Sequence, residues 1–324
     1  MIKLFTHNDL DGVGCAIIAK LAKGVNAVDV EYIDNPQELT KRMRSYIDDG
    51  EHTAYTATWV TDLSADAAVL TDVPNLLLVD HHKSALPLVD ALPHKNILVR
   101  THAVTGEQIC ATKLLNNLLQ PKPSQSLFVN MVDAYDTWAW TNGTSRLPAY
   151  LSMLVYALGV EEFERVYVDR LRANTLTELT LFTERERIML TAIEHNESMT
   201  TRRAADSATV VDVNGLRVAV LFAGGNTSDI GHMVIKDQHA DVVLMVDPVN
   251  CKVSLRSAVI DVSNVAAQLF TGGGHTNAAG GRLQKQDAKV LKNLLTTLAD
   301  NVGRHIHHAV LENSKQEGER DGKA

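Results

Sequence analysis

The sequence predicts an α/β protein: an N-terminal, mostly parallel β-sheet with flanking helices, a helical connector, and a smaller C-terminal α/β domain. Two observations carry this reading. Short apolar runs alternate with helix-periodic segments over the first 140 residues, and a second alternation begins at residue 207. Between them, over residues 145–205, strand signals vanish. The early strands are near-continuous in apolar residues, as strands covered on both faces must be. The expected boundaries are 1–145, 146–205 and 206–303, with a tail over 304–324 that closes on ENSKQEGERDGKA and is expected to be disordered.

The elements follow in order. IKLFT (2–6) is an apolar run that leads into HNDLDG, and VGCAIIAKLAKG (13–24) has helical spacing with a glycine stop. AVDVEYI (27–33) reads as a strand, and PQELTKRMRSYI (36–47), opened by proline, as an amphipathic helix. TATWVTDLS (56–64) and NLLLVDHH (75–82) are further strands around the helical ADAAVLTD (65–72), and NILVR (96–100) is another strand. TGEQICATKLLNNLL (105–119) and SQSLFVNMVDAYDTW (124–138) read as helices. EEFERVYVDRLRAN (161–174) and ERERIMLTAIEHNESM (184–199) are the helices of the connector. In the second alternation, ATVVDV (208–213) and LRVAVLFA (216–223) flank Asn214-Gly215, a hairpin signal. DVVLMVD (241–247) and KVSLRS (252–257) are strands, and DVSNVAAQLF (261–270) is a helix. TGGGHTNAAGG (271–281) reads as a glycine-rich loop before a helix over 286–300.

Composition narrows the function classes. A net charge of −8 argues against a general polyanion binder with a basic face. The longest apolar stretch (150–160) is shorter than the roughly 20 residues that cross a bilayer, so no membrane role is expected. Charged and polar residues from His7 onward leave no apolar leader, which makes the cytoplasm the expected compartment. Three widely spaced cysteines (Cys15, Cys110, Cys251) suggest neither a disulfide frame nor a zinc knuckle.

The informative residues stand where the strands end. The first run ends in His7, Asp9 and Asp11, the third in Asp62, and the fourth in Asp80, His81 and His82, while the helix at 124–138 adds Asp133 and Asp136. In a parallel sheet these ends share one edge, where open α/β sheets place their ligands. So many carboxylates together would raise one another's pKa values unless divalent cations offset them. Histidine nitrogen with aspartate oxygen and no thiolate suits Mn²⁺, Fe²⁺ or Co²⁺ better than structural zinc. The alternate pair Asp9 and Asp11 can reach two ions and Asp62 can bridge them, which is a two-metal site for attack on phosphorus. Asp66 and Asp72 are assigned to helix capping, and Asp133 to orienting a ligand. In the second domain, a glycine triplet before His275 lets backbone N–H groups approach an anion, and Arg256 can pair with a phosphate in bidentate fashion.

HNDLDG, TDLS, VDHH and DAYDT, in this order, resemble the motifs of the DHH phosphoesterases. GGGHTNAAGG (272–281) is similar to the signature of the DHHA1 substrate-binding domain, and VSLRS (253–257) sits where that domain carries its Ser-Leu-Arg-Ser strand. The first motif has the short spacing His7-x-Asp9-x-Asp11, which a nanoRNase-like subgroup shares. The resemblance implies two divalent ions, Mn²⁺ first among them. His7 and Asp9 would hold one, Asp11, His81 and Asp136 the other, and Asp62 would bridge them. It implies His82 beside the phosphate, with Asp80 holding a histidine, and Arg256, Ser257, Gly273, Gly274, His275 and Asn277 as substrate-binding residues. The expected function is a phosphodiesterase that hydrolyses short oligonucleotides or linear dinucleotides to nucleoside monophosphates. The alternatives are a cyclic dinucleotide or cyclic nucleotide phosphodiesterase with the same metals and, from another class, a nucleotide-binding sensor without catalysis. The oligomeric state is left open, a homodimer included.

Overall fold

In the computed structural model, residues 1–143, 145–284, 286–287, 289–290 and 293 are described. They divide into two units, Met1–Ile193 and a second that begins at Glu194.

The first unit is built on five parallel strands: β1 (Ile2–His7), β2 (Val28–Ile33), β3 (Ala57–Thr61), β4 (Leu76–Asp80) and β5 (Asn96–Val99), in the order β2-β1-β3-β4-β5. Alternation along each strand sends neighbours to opposite faces. Leu4, Trp59 and Val79 join the core under α1 (Leu10–Lys23), whereas Phe5, Val60 and Leu78 join the core under α2 (Pro36–Asp48), α3 (Ala67–Asp72) and α4 (Pro87–Ala91). The sheet is thus covered on both faces, as its apolar strands require. The strand order reverses between β1 and β3, and a ligand crevice forms at the carboxyl ends of strands on either side of such a switch.

Helices α5 (Ala111–Leu118), α6 (Ser126–Asp136), α7 (Leu147–Leu158) and α8 (Val160–Arg172) complete the first core. The segment expected as a connector is therefore divided. Phe163 and Tyr167 of α8 lie in the core of the first unit, and the Glu164 carboxylate takes both the Lys20 ammonium and the Tyr32 hydroxyl. The unit boundary falls inside α9 (Glu184–Asp206).

Two helix expectations need correction. The helix expected over 105–119 starts only at Ala111, because residues before it form a bridge between His102 and Gln108. The helix expected over 124–138 ends at Asp136, and Trp138 turns into left-handed backbone at φ 60°.

The second unit carries a six-stranded mixed sheet of β6 (Thr209–Val213), β7 (Leu216–Phe222), β8 (Val242–Asp247), β9 (Lys252–Ser257), β10 (Gly273–His275) and β11 (Ala278–Arg282), in the order β10-β11-β9-β8-β7-β6. α10 (Thr227–Gln238) and α11 (Val262–Phe270) pack on it. The Asn214-Gly215 hairpin forms with both residues at positive φ, as a mirror-image turn requires. The glycine-rich segment read as a loop is itself a hairpin, with His275 paired to Ala278. The helix expected over 286–300 and the tail lie largely outside the described residues. Among those residues no helix is long and apolar enough to cross a membrane.

Candidate metal centre

The turn from β1 into α1 presents the first ligands. Asp9 caps α1 by accepting from the Gly12 N–H at 3.0 Å, and its other oxygen lies 2.9 Å from His7 Nδ1. This return is tight enough to demand glycine. A Cβ on Gly12 would stand 2.0 Å from the His7 carbonyl oxygen, and that contact is backbone. Hydroxyls brace the strand ends behind it: Thr61 Oγ1 donates to Thr6 Oγ1 at 2.8 Å, and Thr6 Oγ1 donates to the Gly12 carbonyl at 2.9 Å.

Asp11 is fixed by a long-range contact. Its buried carboxylate accepts the Ala111 and Thr112 N–H groups at 2.8 Å each, so it caps α5 from a hundred positions away. Thr112 Oγ1 adds a bond to the Asp11 carbonyl at 2.7 Å. No local signal in the sequence marks Thr112 as part of this arrangement. Asp133 belongs to the same scaffold. It accepts from the Cys110 N–H at 3.0 Å and from Lys113 Nζ at 2.6 Å, and so anchors the start of α5.

Asp62 stands at the centre. It follows β3 at φ 62°, a conformation that costs a non-glycine residue energy and that Asp and Asn tolerate best. Its N–H is tied to the Val79 carbonyl at 2.9 Å. The residue is 2% exposed, yet neither carboxylate oxygen has a hydrogen-bond partner among the described residues, and His81 Nε2 is also buried and unbonded. His81 Nε2 lies 3.3 Å from Asp62 Oδ1, 3.5 Å from Asp136 Oδ2 and 3.7 Å from Asp11 Oδ2. His7 Nδ1 lies 3.7 Å from the other Asp62 oxygen.

These separations have a meaning. Ligand atoms about 2.1 Å from one ion are separated by roughly 3.0 Å when adjacent and 4.2 Å when opposite in an octahedron. His7, Asp9 and Asp62 form one such set, Asp11, His81 and Asp136 another, and Asp62, His81 and His82 a third. The first two bring together residues that the motifs group, and Asp62, a member of the first and third sets, lies 3.3 Å from His81 of the second. Electrostatics makes the same demand. Burial pushes the Asp62 carboxyl well above the ordinary range, and Asp11 and Asp9 push it further. Burial and Asp11 raise Asp136 to about 7. The nearby Asp62 and Asp9 carboxylates raise His7 to about 10. The carboxylates of the cluster outnumber its positive charge, and divalent cations would offset them. The residues fit the ions.

Asp80 faces a different partner. Its Oδ1 accepts the N–H groups of His81 (2.7 Å) and His82 (3.0 Å) and lies 2.8 Å from His82 Nδ1, while Oδ2 takes the Ser64 hydroxyl. The bond to Asp80 raises the pKa of His82 and leaves Nε2 as its free nitrogen. Ser64 escaped the sequence reading, although TDLS contains it. Asp66 sits at the start of α3 without a side-chain cap, and its carboxylate instead approaches Arg44 at 3.8 Å. Asp72 closes the same helix, so neither residue caps it as expected.

In the second unit, Arg256 Nη2 lies 3.1 Å from both Thr227 Oγ1 and Ser228 Oγ, and no carboxylate among the described residues pairs with it. Ser257 is engaged: its hydroxyl donates to the Asp241 carbonyl at 2.7 Å and accepts from Val259 and Ile260. Gly274 has φ 142°, and a Cβ there would meet the Ala278 carbonyl at 2.6 Å; at Gly273 the same position is open space. Asn277 is exposed in the hairpin turn and its carbonyl accepts the Ser257 N–H at 3.1 Å, while His275 is described only by its backbone.

Residues 215–304 match the model of the DHHA1 domain. Over 297 residues the chain is 29% identical to the oligoribonuclease NrnB of Bacillus subtilis, covering 86% of this chain and 72% of that one. Two solved structures share the fold. The pGpG-specific phosphodiesterase PggH from Vibrio cholerae matches with a TM-score of 0.54 at 15% identity, covering 93% of this chain and 99% of that one. An exonuclease RecJ bound to manganese matches with a TM-score of 0.52 at 17% identity, covering 90% and 88%.

Proposed function

We propose that this chain, a DHHA1-domain protein resembling the DHH phosphoesterases, is a two-metal phosphodiesterase that converts short oligonucleotides or linear dinucleotides to nucleoside monophosphates. The observation that carries the metal chemistry is the cluster of ligand sets around Asp62, which belongs to two of them and whose buried oxygens have no hydrogen-bond partner among the described residues. The substrate class rests on the likeness to an oligoribonuclease. The mixed nitrogen and oxygen donors favour manganese.

His7 and Asp9 would hold one ion and Asp11, His81 and Asp136 the other, with Asp62 placed to reach both. Bound there, divalent cations would lower the pKa of water, supplying a nucleophile at neutral pH, and would neutralise charge on the phosphate. The chain's own groups do the rest. Asp80 fixes the tautomer and direction of His82, whose free Nε2 donates a proton to the departing oxygen. Its raised pKa keeps that proton available at neutral pH. Arg256, with the backbone of Gly273 and Gly274, Ser257, His275 and Asn277, is assigned to the substrate. The cytoplasm is the proposed compartment.

Product analysis by chromatography tests this. Purified protein with Mn²⁺ is given a linear dinucleotide, a longer oligomer, a cyclic dinucleotide and a cyclic mononucleotide, beside an Asp62→Ala control. Fastest loss of the linear dinucleotide with an inert control is expected. Preference for a cyclic substrate would overturn the substrate and keep the metals. Nucleotide binding without turnover would make the protein a sensor.

A further inference from the structure

Immediately beyond Asp136 the chain does something costly. α6 ends, and Trp138 takes the left-handed position at φ 60° that helices usually give to glycine. A bulky residue there is an outlier, and such strain persists only where surrounding structure enforces it. Here it is enforced by hydrogen bonds. The Trp138 N–H donates to the Tyr135 carbonyl at 3.1 Å, and its carbonyl accepts from Thr141 N (3.1 Å) and Oγ1 (2.7 Å).

The strain places an indole in water. Trp138 is 58% exposed, which hydrophobic burial alone would not produce. Its ring is the outer member of a ladder. Tyr135, packed against the first core, lies near-parallel to Trp140 (16°, centroids 6.3 Å apart), and Trp140 to Trp138 (25°, 6.5 Å). The Arg146 guanidinium lies 5.9 Å from the Trp140 ring centroid. The ladder therefore runs from a rigid anchor to an open aromatic face, two residues from a carboxylate of the metal cluster.

We propose that the Tyr135–Trp140–Trp138 ladder is the base-stacking platform of this enzyme, the open face of Trp138 receiving a nucleobase of the substrate. Every base has a π-face, so a flat indole held by two further rings selects for the presence of a base rather than for its identity. The assignment rests on the phosphodiesterase reading above and adds to it a specificity residue: a phosphodiester without bases is bound poorly.

The test uses the full chain with Mn²⁺, a linear dinucleotide, and its abasic counterpart with the same sugars and phosphate. Trp138→Ala is expected to raise KM for the dinucleotide roughly tenfold, with kcat changed far less, since one base stack corresponds to about that factor. Trp138→Phe should restore most of the loss, and the abasic compound should be cleaved alike by all three proteins. Equal losses on both compounds would mean that Trp138 acts by holding Asp136 in place, and no loss on either would remove the platform; both overturn the proposal. If the wild-type protein cleaves neither, the phosphodiesterase reading fails separately. Equilibrium dialysis then decides the platform alone: a nucleoside 5′-monophosphate should bind more tightly than ribose 5-phosphate to the wild-type protein and not to W138A. Equal binding of the two ligands to the wild-type protein refutes it.

Discussion

Asp62→Asn should make the metal-free protein more stable while abolishing its response to manganese. The substitution keeps the shape of the side chain and the tolerance for φ 62°, so it isolates charge. In the metal-free chain the buried Asp62 carboxylate has no hydrogen-bond partner among the described residues, and Asp11, Asp9 and Asp136 surround it. Leaving a buried polar group unpaired costs about 1–3 kcal/mol, more for a charged one. Removing the charge while retaining a polar amide recovers part of that, ~1 kcal/mol, or roughly 3 °C for a unit of this size. The gain should grow with pH. Because the Asp62 carboxyl titrates above its ordinary range, the folded chain retains a proton that the unfolded chain releases near about pH 4. Metal-free wild-type stability therefore falls as pH rises through this window, and the D62N protein lacks that loss. Thermal melts in EDTA and in Mn²⁺ at several pH values measure both effects. Manganese at about 100 times its Kd should add roughly 2.7 kcal/mol to the wild-type protein and far less to D62N. A D62N protein that melts lower than wild type in EDTA would refute the reasoning, since Asp62 would then be a structural acid.

Three further outcomes follow from the geometry. Gly12→Ala drives a Cβ to 2.0 Å from the His7 carbonyl, so it should cost about 1–3 kcal/mol in denaturant unfolding and weaken Mn²⁺ binding together. His82→Gln should lower kcat roughly 100-fold or more while calorimetry finds Mn²⁺ binding retained, and Asp80→Asn should fall between it and wild type. Arg256→Lys keeps the charge but loses the guanidinium fork, so KM for a dinucleotide should rise with kcat nearly unchanged in steady-state assays.

Much of the first unit was legible because two periodicities coincide in it. Leu4-Phe5, Trp59-Val60 and Leu78-Val79 each split between the two faces of the sheet, and such runs are diagnostic of strands covered twice. The clustering of His7, Asp9, Asp62 and His81 was legible for a related reason: in a parallel sheet, residues after successive strands share an edge whatever the intervening helices do. The less legible parts depend on contacts that no window contains. Helical composition runs through Thr105–Cys110, yet α5 begins where Asp11 can accept its first N–H groups. Asp133, assigned from the sequence to orienting a ligand, instead has its oxygens occupied by Cys110 and Lys113 from the start of α5. The glycines at 272–274 suggest a loop, yet their lack of side chains lets β10 lie against β11, where a Cβ on Gly272 would reach within 1.9 Å of the Gly280 carbonyl. The connector helices were visible as helices, whereas their destination was set by Phe163, Tyr167 and Glu164 meeting partners from the first strands.

The bond between Asp11 and the start of α5 has a kinetic consequence. The Asp11 carboxylate is not held in place until a helix a hundred residues downstream has docked, so a centre that uses it would be expected to form late on the folding route. Closing so long a loop comes late, and interactions absent from the transition state act on the unfolding rate. Metal ions bound at the proposed centre would then work as a latch, fitted after the chain has found its fold and holding it shut afterwards.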